Sequence, residues 1–242
     1  MKLEAKIQKA KALLETIEAK WSPAAFACSF GAEDMVLIDL IAREFGGIEI
    51  FTLDTGRLPE ETFQLMQEAK SRYGAPIKVY LPQAAAVEEY VARNGANGFY
   101  QNVELRKACC GIRKVEPLKR ALAGKQAWIT GQRREQSVTR GELREAEADA
   151  ANGLQKFNPL ADWTRKDVWA YIRAHDVPYN SLHDRGFASI GCAPCTRAIT
   201  VGEDERAGRW WWEDSASKEC GLHPVRIEGG KKIGRVKEIE SA

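Results

Sequence analysis

Ala24-Ala25-Phe26-Ala27-Cys28-Ser29-Phe30-Gly31-Ala32-Glu33-Asp34, followed by the periodic run Met35–Phe45, is the stretch on which the fold reading turns. The apolar run Ala24–Cys28 has the length and character of a buried strand, and Met35–Phe45 repeats its apolar positions at helical spacing. Between them Ser29–Asp34 is a polar turn, so the unit reads strand–loop–helix. Working outward, Gly46-Gly47 is expected to cap the helix, and Ile48–Thr52 is a second strand followed by the turn Leu53–Arg57. Pro59–Tyr73 is a helix with proline at its entry and Gly74 at its exit. Ile77–Leu81 is a third strand, and Ala127–Ile129, just before Gly131, a fourth. On the N-terminal side, Leu3, Ile7, Ala10, Leu13, Leu14 and Ile17 form the apolar stripe of an amphipathic helix. Strands alternating with helices of roughly 10–15 residues predict an α/β fold, with a mainly parallel twisted sheet flanked by helices. Ligands of such sheets sit beyond the carboxyl ends of the strands. The loops Ser29–Asp34, Leu53–Arg57 and Gly131–Ser137 are therefore expected on one face.

The chain has 242 residues, 44% hydrophobic and 29% charged, a balance that supports a folded core without disulfides and excludes wholesale disorder. Its 36 Lys and Arg against 34 Asp and Glu leave a net charge of +2, which gives no general nucleic-acid signal, so any anion site must be local. No apolar run approaches the roughly 18 residues of a membrane span. Met1–Lys20 mixes lysines with Glu4, Glu15 and Glu18 and has no apolar signal region, so a cytoplasmic protein is expected. Residues 203–242 are charge-rich and little periodic. The expected division is a domain over 1–202 and an extended C-terminal tail over 203–242.

The loop Ser29–Asp34 enters a helix, where free backbone N–H groups and the positive helix end can hold a phosphate. It lacks the lysine and second glycine of a Walker A loop, and an ordinary strand–helix turn is the alternative. The loops Leu53-Asp54-Thr55-Gly56-Arg57 and Gly131-Gln132-Arg133-Arg134 add polar and basic groups on the same face, which favours an anion site. His183 lies in a polar loop that could line it. Arg206 and Arg209, three apart, would face one way on a helical turn and could grip an oxyanion.

The six cysteines fall unevenly: Cys28 alone, Cys109-Cys110, Cys192-Ala-Pro-Cys195, and Cys220. Two close pairs point to a metal site rather than to small buried side chains. Structural zinc favours pairs spaced C-x₂₋₄-C, whereas a cubane iron–sulfur cluster tolerates adjacent cysteines because each thiolate binds a different iron. The stretch Glu104–Arg120 holds six cations against two carboxylates, an excess suited to an anionic cluster, and the residues alone leave the metal open. Cys220 stands in Lys218-Glu219-Cys220-Gly221-Leu222-His223, where neighbouring cations would favour the thiolate.

Taken together, Ser29–Asp34, Leu53–Arg57, Cys109-Cys110-Gly111-Ile112-Arg113-Lys114, Gly131-Gln132-Arg133-Arg134, Asn158-Pro159-Leu160, Gly191-Cys192-Ala193-Pro194-Cys195, Arg206 with Arg209 and Glu219–His223 are specific. The chain resembles the assimilatory phosphosulfate reductases, in their iron–sulfur adenylylsulfate branch. The resemblance implies a Rossmann-like sheet of the adenine-nucleotide alpha-hydrolase type. It implies that Ser29, Phe30, Gly31, Ala32, Glu33, Asp34, Leu53, Asp54, Thr55, Gly56, Arg57, Gly131, Arg133 and Arg134 hold the nucleotide. Cys109, Cys110, Cys192 and Cys195 would ligate a [4Fe–4S] cluster. Lys114, Arg206, Arg209 and His223 would surround the sulfate, and Cys220 would be the nucleophile. Adenylylsulfate would be reduced to sulfite and AMP in sulfate assimilation, with a separate thioredoxin or glutaredoxin as reductant and no part for nucleic acid or membrane. The resemblance leaves open a homo-oligomer and reduction of the 3′-phosphorylated nucleotide. The rivals are an ATP-pyrophosphatase-type ligase, whose Ser-Gly-Gly-x-Asp-Ser loop is absent here, and a zinc-stapled nucleotide-binding module.

Overall fold

The computed structural model describes residues 2–136 and 143–213. Along the chain run α1 (Leu3–Lys20), β1 (Ala24–Cys28), α2 (Ala32–Glu44), β2 (Ile48–Leu53), α3 (Glu60–Tyr73), β3 (Ile77–Tyr80) and α4 (Ala84–Asn94). There follow α5 (Val103–Cys110), a π-helical turn (Gly111–Val115), α6 (Glu116–Leu122), β4 (Ala127–Ile129), β5 (Ala146–Asp149), β6 (Leu154–Phe157) and α7 (Arg165–Ala174). The strands form one sheet in the order β3-β2-β1-β4-β6-β5. Every neighbouring pair is parallel except β5 with β6. Chain order runs outward from β1 to β2 and β3, then returns to β4 on the other side. The switch point between β1 and β4 is where such sheets open a ligand crevice.

Alternation along β1 divides the core into two layers. Ala24, Phe26 and Cys28 pack with α1, α2, α3 and α7, while Ala25 lies on the opposite face with Phe51, Trp128 and the α6 residues Leu118, Ala121 and Leu122. Helix α2 is apolar around most of its circumference, with Met35–Ile41 buried throughout, Asp39 included, as expected of a helix covered on several sides. Asp39 is tolerated there because it accepts hydrogen bonds from Arg43 Nε, Tyr73 Oη and Tyr171 Oη at 2.8–2.9 Å, which satisfies the charge.

The mainly parallel sheet and the four expected strands are present. Some boundaries differ. Helix α2 begins at Ala32, so Glu33 and Asp34 occupy its first turn rather than the preceding loop. Phe45, not the glycine pair, caps its end, the Phe45 N–H donating to the Ile41 carbonyl. Gly74 does cap α3 in the left-handed conformation, with φ 61°. The first part of the expected tail, 203–213, is packed on the body: Trp210 N–H donates to the Cys195 carbonyl at 3.2 Å, and Thr196 bridges to Arg209. No helix among the described residues is long and apolar enough to cross a membrane.

Candidate active site

The carboxyl ends of β1, β2 and β4 open onto a cavity of about 210 Å³. Ser29, Gly31, Glu33 and Asp34 from the first loop, Leu53 and Thr55 from the second, and Gly131 and Gln132 from the third all line it. The three loops expected on one face thus share one cavity. Its other wall carries Lys114, Arg206 and Arg209, together with His183 and the segment Ala188–Gly191.

The first loop is shaped by a bend at Phe30, whose φ of 60° is unusual for a bulky residue. Its side chain is buried in the core, which anchors a backbone conformation costing roughly 1–2 kcal/mol. Asp34 turns back on the loop and accepts from Ser29 N and Ser29 Oγ at 2.6 and 2.7 Å. Burial pushes the Asp34 carboxyl up to about 6, even though the Ser29 donors favour its charge. Gly131 is required at the third loop because a Cβ there would collide with the Asp34 carboxylate.

Several of the residues expected at the nucleotide do not line the larger cavity. Phe30 and Ala32 are core residues. Asp54 closes its own turn, accepting from Gly56 N at 2.8 Å. Arg57 lies over the Phe99 ring at 5.0 Å, bonded to the Ala96 carbonyl and Asn97, and lines the second cavity described below rather than the larger one. Arg133 is 1% exposed and is taken up by three carboxylates: Glu33 at 2.7 Å, Glu135 at 3.1 Å and Glu205 at 3.0 Å. Arg134 is paired with Asp162 and the Leu143 carbonyl. Sequence shows the charge of these arginines and not the acids that fold back onto them. Conversely, Thr52, Thr130 and Trp128 line the larger cavity without having been singled out. A threonine at the end of an apolar strand was the available signal for the first two.

Beside the larger cavity lies a small one of about 20 Å³, lined by Cys109, Cys110, Cys192 and Cys195. The two pairs, remote in sequence, are brought together with Phe99 and Trp210 into one packed cluster. Cys109 and Cys110 end α5, where the chain widens into the π-helical turn Gly111–Val115; such turns often mark functional positions. Cys192 and Cys195 sit on a single helical turn in which Cys195 N–H donates to the Cys192 carbonyl at 2.9 Å. Ala193 N–H ties that turn to the Arg57 carbonyl at 2.8 Å. Among the described residues, no three His, Cys, Asp or Glu groups converge as ligands of one metal ion; the four thiols ring a space instead.

The surroundings of that space are cationic. Arg57, Arg106, Arg113, Lys114 and Arg209 line it, and Lys114, Arg209 and Trp210 line both cavities. Arg113 donates to the Thr55 carbonyl at 2.6 Å, and Thr55 Oγ1 lies 3.2 Å from Cys192 Sγ. Burial alone would raise the Cys192 pKa, but Lys114, the Thr55 hydroxyl, Arg209 and Arg113 together hold it below the ordinary thiol value. Cys195 is instead pushed up to about 12, by burial and by the neighbouring Cys192 and Cys110. Cys220 and His223 lie outside the described residues.

Sheet order, switch-point cavity and helices on both faces define a doubly wound α/β protein. A family model described as the phosphoadenosine phosphosulfate reductase domain matches residues 23–198, and the chain belongs to that family. Among curated relatives it is 64% identical over 198 residues to an adenosine 5′-phosphosulfate reductase of Allochromatium vinosum, covering 82% of this chain and 77% of the relative. It is 58% identical to the protein of that name from Burkholderia cepacia, covering 93% and 90%. Among solved structures, phosphoadenylyl-sulfate reductase from Candida auris superposes with a TM-score of 0.68 at 25% identity, over 81% of this chain and 96% of that one. An FMN adenylyltransferase from Candida glabrata, at TM-score 0.57 and 17% identity over 93% of this chain and 79% of that one, shares the fold.

Proposed function

We propose that this protein reduces adenylylsulfate to sulfite and AMP in assimilatory sulfate reduction, with a thioredoxin-type dithiol as reductant. The observation that carries the reading is the shared wall of the two cavities: Lys114 and Arg209 stand between a thiol-ringed space and a switch-point cavity suited to a nucleotide. The relatives named for adenylylsulfate reduction support it.

Cys220 is the nucleophile of this proposal. Its thiolate attacks the sulfur of adenylylsulfate, the S–O bond to the phosphate breaks, and AMP leaves with the electron pair. Cys220 is left as an S-sulfonate. A thiolate of the reductant then attacks Cys220 Sγ and releases sulfite, and its second thiol resolves the mixed disulfide. Two electrons come from the dithiol, which ends oxidised. Lys114, Arg206 and Arg209, with His223, offset charge on the sulfonate and the departing phosphate. The loops Ser29–Asp34, Leu53–Arg57 and Gly131–Gln132, whose Ser29, Thr55 and Gly131 line the larger cavity, hold the nucleotide and keep it oriented.

Four thiols around one space, three of them buried and Cys109 half-buried, ringed by arginine and lysine, fit a cubane [4Fe–4S] cluster better than one zinc ion, because a cubane needs its thiolates spread over four irons. Cys109, Cys110, Cys192 and Cys195 would hold it. When bound it supplies a fixed charge and a rigid wall to the site. The basic groups available for a 3′-phosphate support adenylylsulfate over its phosphorylated analogue: Arg133 and Arg134 are engaged by carboxylates, and Arg57 lies on the thiol side.

The test is sulfite release from adenylylsulfate and from 3′-phosphoadenylylsulfate, with thioredoxin and excess dithiol. Anaerobically purified protein should be brown with close to four irons per chain, as the cluster stoichiometry requires, and should prefer adenylylsulfate in kcat/KM. Cys220→Ser should keep the iron and form no sulfonate adduct by mass spectrometry, while Cys195→Ser should lose iron and turnover together. Full turnover by Cys220→Ser, or a colourless and fully active zinc protein, would overturn the assignment.

A further inference from the structure

Trp128 of β4 is paired in register with Lys156 of β6, and Lys156 with Glu147 of β5, so the three side chains stand on one face of the sheet. Lys156 is buried there, its ammonium 5.6 Å from the centre of the Trp128 ring. Its Nζ donates to Glu147 Oε1 at 3.0 Å, which balances the charge, and to Gln132 Oε1 at 2.7 Å. An ammonium has donors and no acceptor, so the Gln132 amide is held with its oxygen toward Lys156 and its NH₂ turned away. The backbone behind it is fixed as well. Gln132 N–H donates to Thr130 Oγ1 at 3.4 Å, and that hydroxyl donates to Asn158 Oδ1 at 2.6 Å. Gln132 lines the larger cavity. Its Nε2 has no partner among the described residues, yet it is not one of the buried unpartnered atoms and keeps accessible surface.

The rest of the wall narrows what that donor meets. Ala27, Phe51 and Leu53 line the cavity with Trp128 and pack with it in one apolar cluster, on the sheet face from which Lys156 reaches Gln132. Such a surface accepts a flat heteroaromatic ring through dispersion and needs few polar groups, placed to fix the ring's orientation. An anionic group is better served by Lys114, Arg206 and Arg209 on the opposite wall. Lys156 is balanced by Glu147, and Glu33 and Asp34 lie against Gly131, so the Gln132 side offers an anion no net positive charge. We propose that Gln132 Nε2 is a specificity-determining donor to a ring nitrogen of the bound nucleobase, and that Lys156 is the positioning residue that decides which end of the amide faces the base. The proposal rests on reading the larger cavity as the nucleotide site. It gives the buried Lys156 a task at a cavity that it does not itself line.

The experiment is a ligand–protein double cycle with the full chain. Calorimetric Kd values would be measured for AMP and its 1-deaza, 3-deaza and 7-deaza analogues, each of which replaces one acceptor nitrogen of the base by C–H. Wild type is compared with Gln132→Met, which keeps the length of the side chain and removes the donor. Gln132→Met should weaken AMP about tenfold, in line with the loss of one hydrogen bond. One analogue, the one lacking the accepting nitrogen, should bind wild type about tenfold more weakly than AMP and lose nothing further on Gln132→Met. The other two should lose the same factor as AMP. Lys156→Met should weaken AMP about threefold or more in the wild-type background and not in Gln132→Met, the mark of a residue acting through Gln132. Lys156→Arg, which returns a cationic donor, should recover part of that loss. Unchanged AMP binding by Gln132→Met overturns the proposal. So does an equal loss for AMP and all three analogues, which would put the donor on the ribose or phosphate. A Lys156→Met loss of the same size in both backgrounds would make the lysine a structural residue and remove its positioning role. Sulfite release by wild type separates the levels: normal release with no coupling in the cycle removes this inference alone. No AMP binding together with no sulfite release removes the functional reading and this inference with it.

Discussion

Asp34 is 7% exposed and serves as the clasp of the first loop, bonded to both the amide and the hydroxyl of Ser29. Burial raises its pKa from 3.8 to about 6. The folded chain therefore binds this proton more tightly than the unfolded chain does. Its contribution to stability is full below pH 3.8 and is lost as the pH rises through about 6, on the order of 3 kcal/mol in all. Asp34→Asn, which keeps an acceptor for Ser29 and removes the charge, should be more stable than wild type at pH 7.5. The gap should shrink as the pH falls toward 4. Urea unfolding of both proteins across that range checks it, and parallel curves at all pH values would show that Asp34 is not the titrating group.

At the scale of elements, α7 shows how a helix end is fixed from both near and far. Thr164 Oγ1 accepts from Asp167 N at 3.1 Å, and Asp167 accepts in return from Thr164 N at 2.8 Å, a reciprocal capping box. Lys6 of α1 reaches the same carboxylate at 2.6 Å, so the first helix is docked onto the last. Burial opposes the Asp167 charge, but Lys6 and Thr164 outweigh it and bring its pKa down to about 2. The stabilisation is thus present above the ordinary carboxylate pKa of 3.8 and is lost as pH falls toward 2. Thr164→Ala should cost about 1 kcal/mol in urea unfolding at neutral pH and leave kcat unchanged, since this helix end lines neither cavity. The same scale accounts for what the thiol pairs need. On a regular α-helix adjacent cysteines diverge, and the π-helical turn Gly111–Val115 directly after Cys110 resets the helix so that Lys114 comes round to the wall between the cavities.

Across the whole molecule, two buried guanidinium groups hold the segment 203–213 to the domain. Arg106 of α5 pairs with Glu213 at 2.6 Å, the two side chains being 0% and 3% exposed, and lies over the Trp210 ring at 4.8 Å. Arg133 joins Glu33 at the start of α2 to Glu205, next to Arg206. Removing one member of such a pair leaves the other charge buried and uncompensated, at a cost of about 3–5 kcal/mol. Glu213→Ala should fall in that range by urea unfolding, and should speed alkylation of Cys110, which shares a cluster with Trp210. A loss under about 1 kcal/mol, the scale of a surface pair, would mean that 203–213 is not fastened through this contact. Arg133→Met should destabilise similarly and raise KM for adenylylsulfate, because the arginine-bearing turn loses its tie to the first loop.

Sequence by itself determined the strands that build the switch point. Ala24–Cys28, Ile48–Leu53 and Ala127–Ile129 are buried through most of their length, and burial writes itself into composition as continuous apolar runs. The short polar strands β5 and β6 carry no such mark. β5 reads Ala-Glu-Ala-Asp and β6 Leu-Gln-Lys-Phe, and only pairing with the finished sheet makes them strands. The cysteine pairs and Lys114 were legible as residue types with a suitable spacing. Their meeting around one space was not, because it depends on how α5 and the Cys192–Cys195 turn dock. The arginines divide in the same way. Arg206 and Arg209 were expected at the cavity and line it, while Arg57, Arg133 and Arg134 find other partners. A guanidinium's charge is fixed by its covalent chemistry, but whether it meets a ligand or a carboxylate of its own chain is set by tertiary packing.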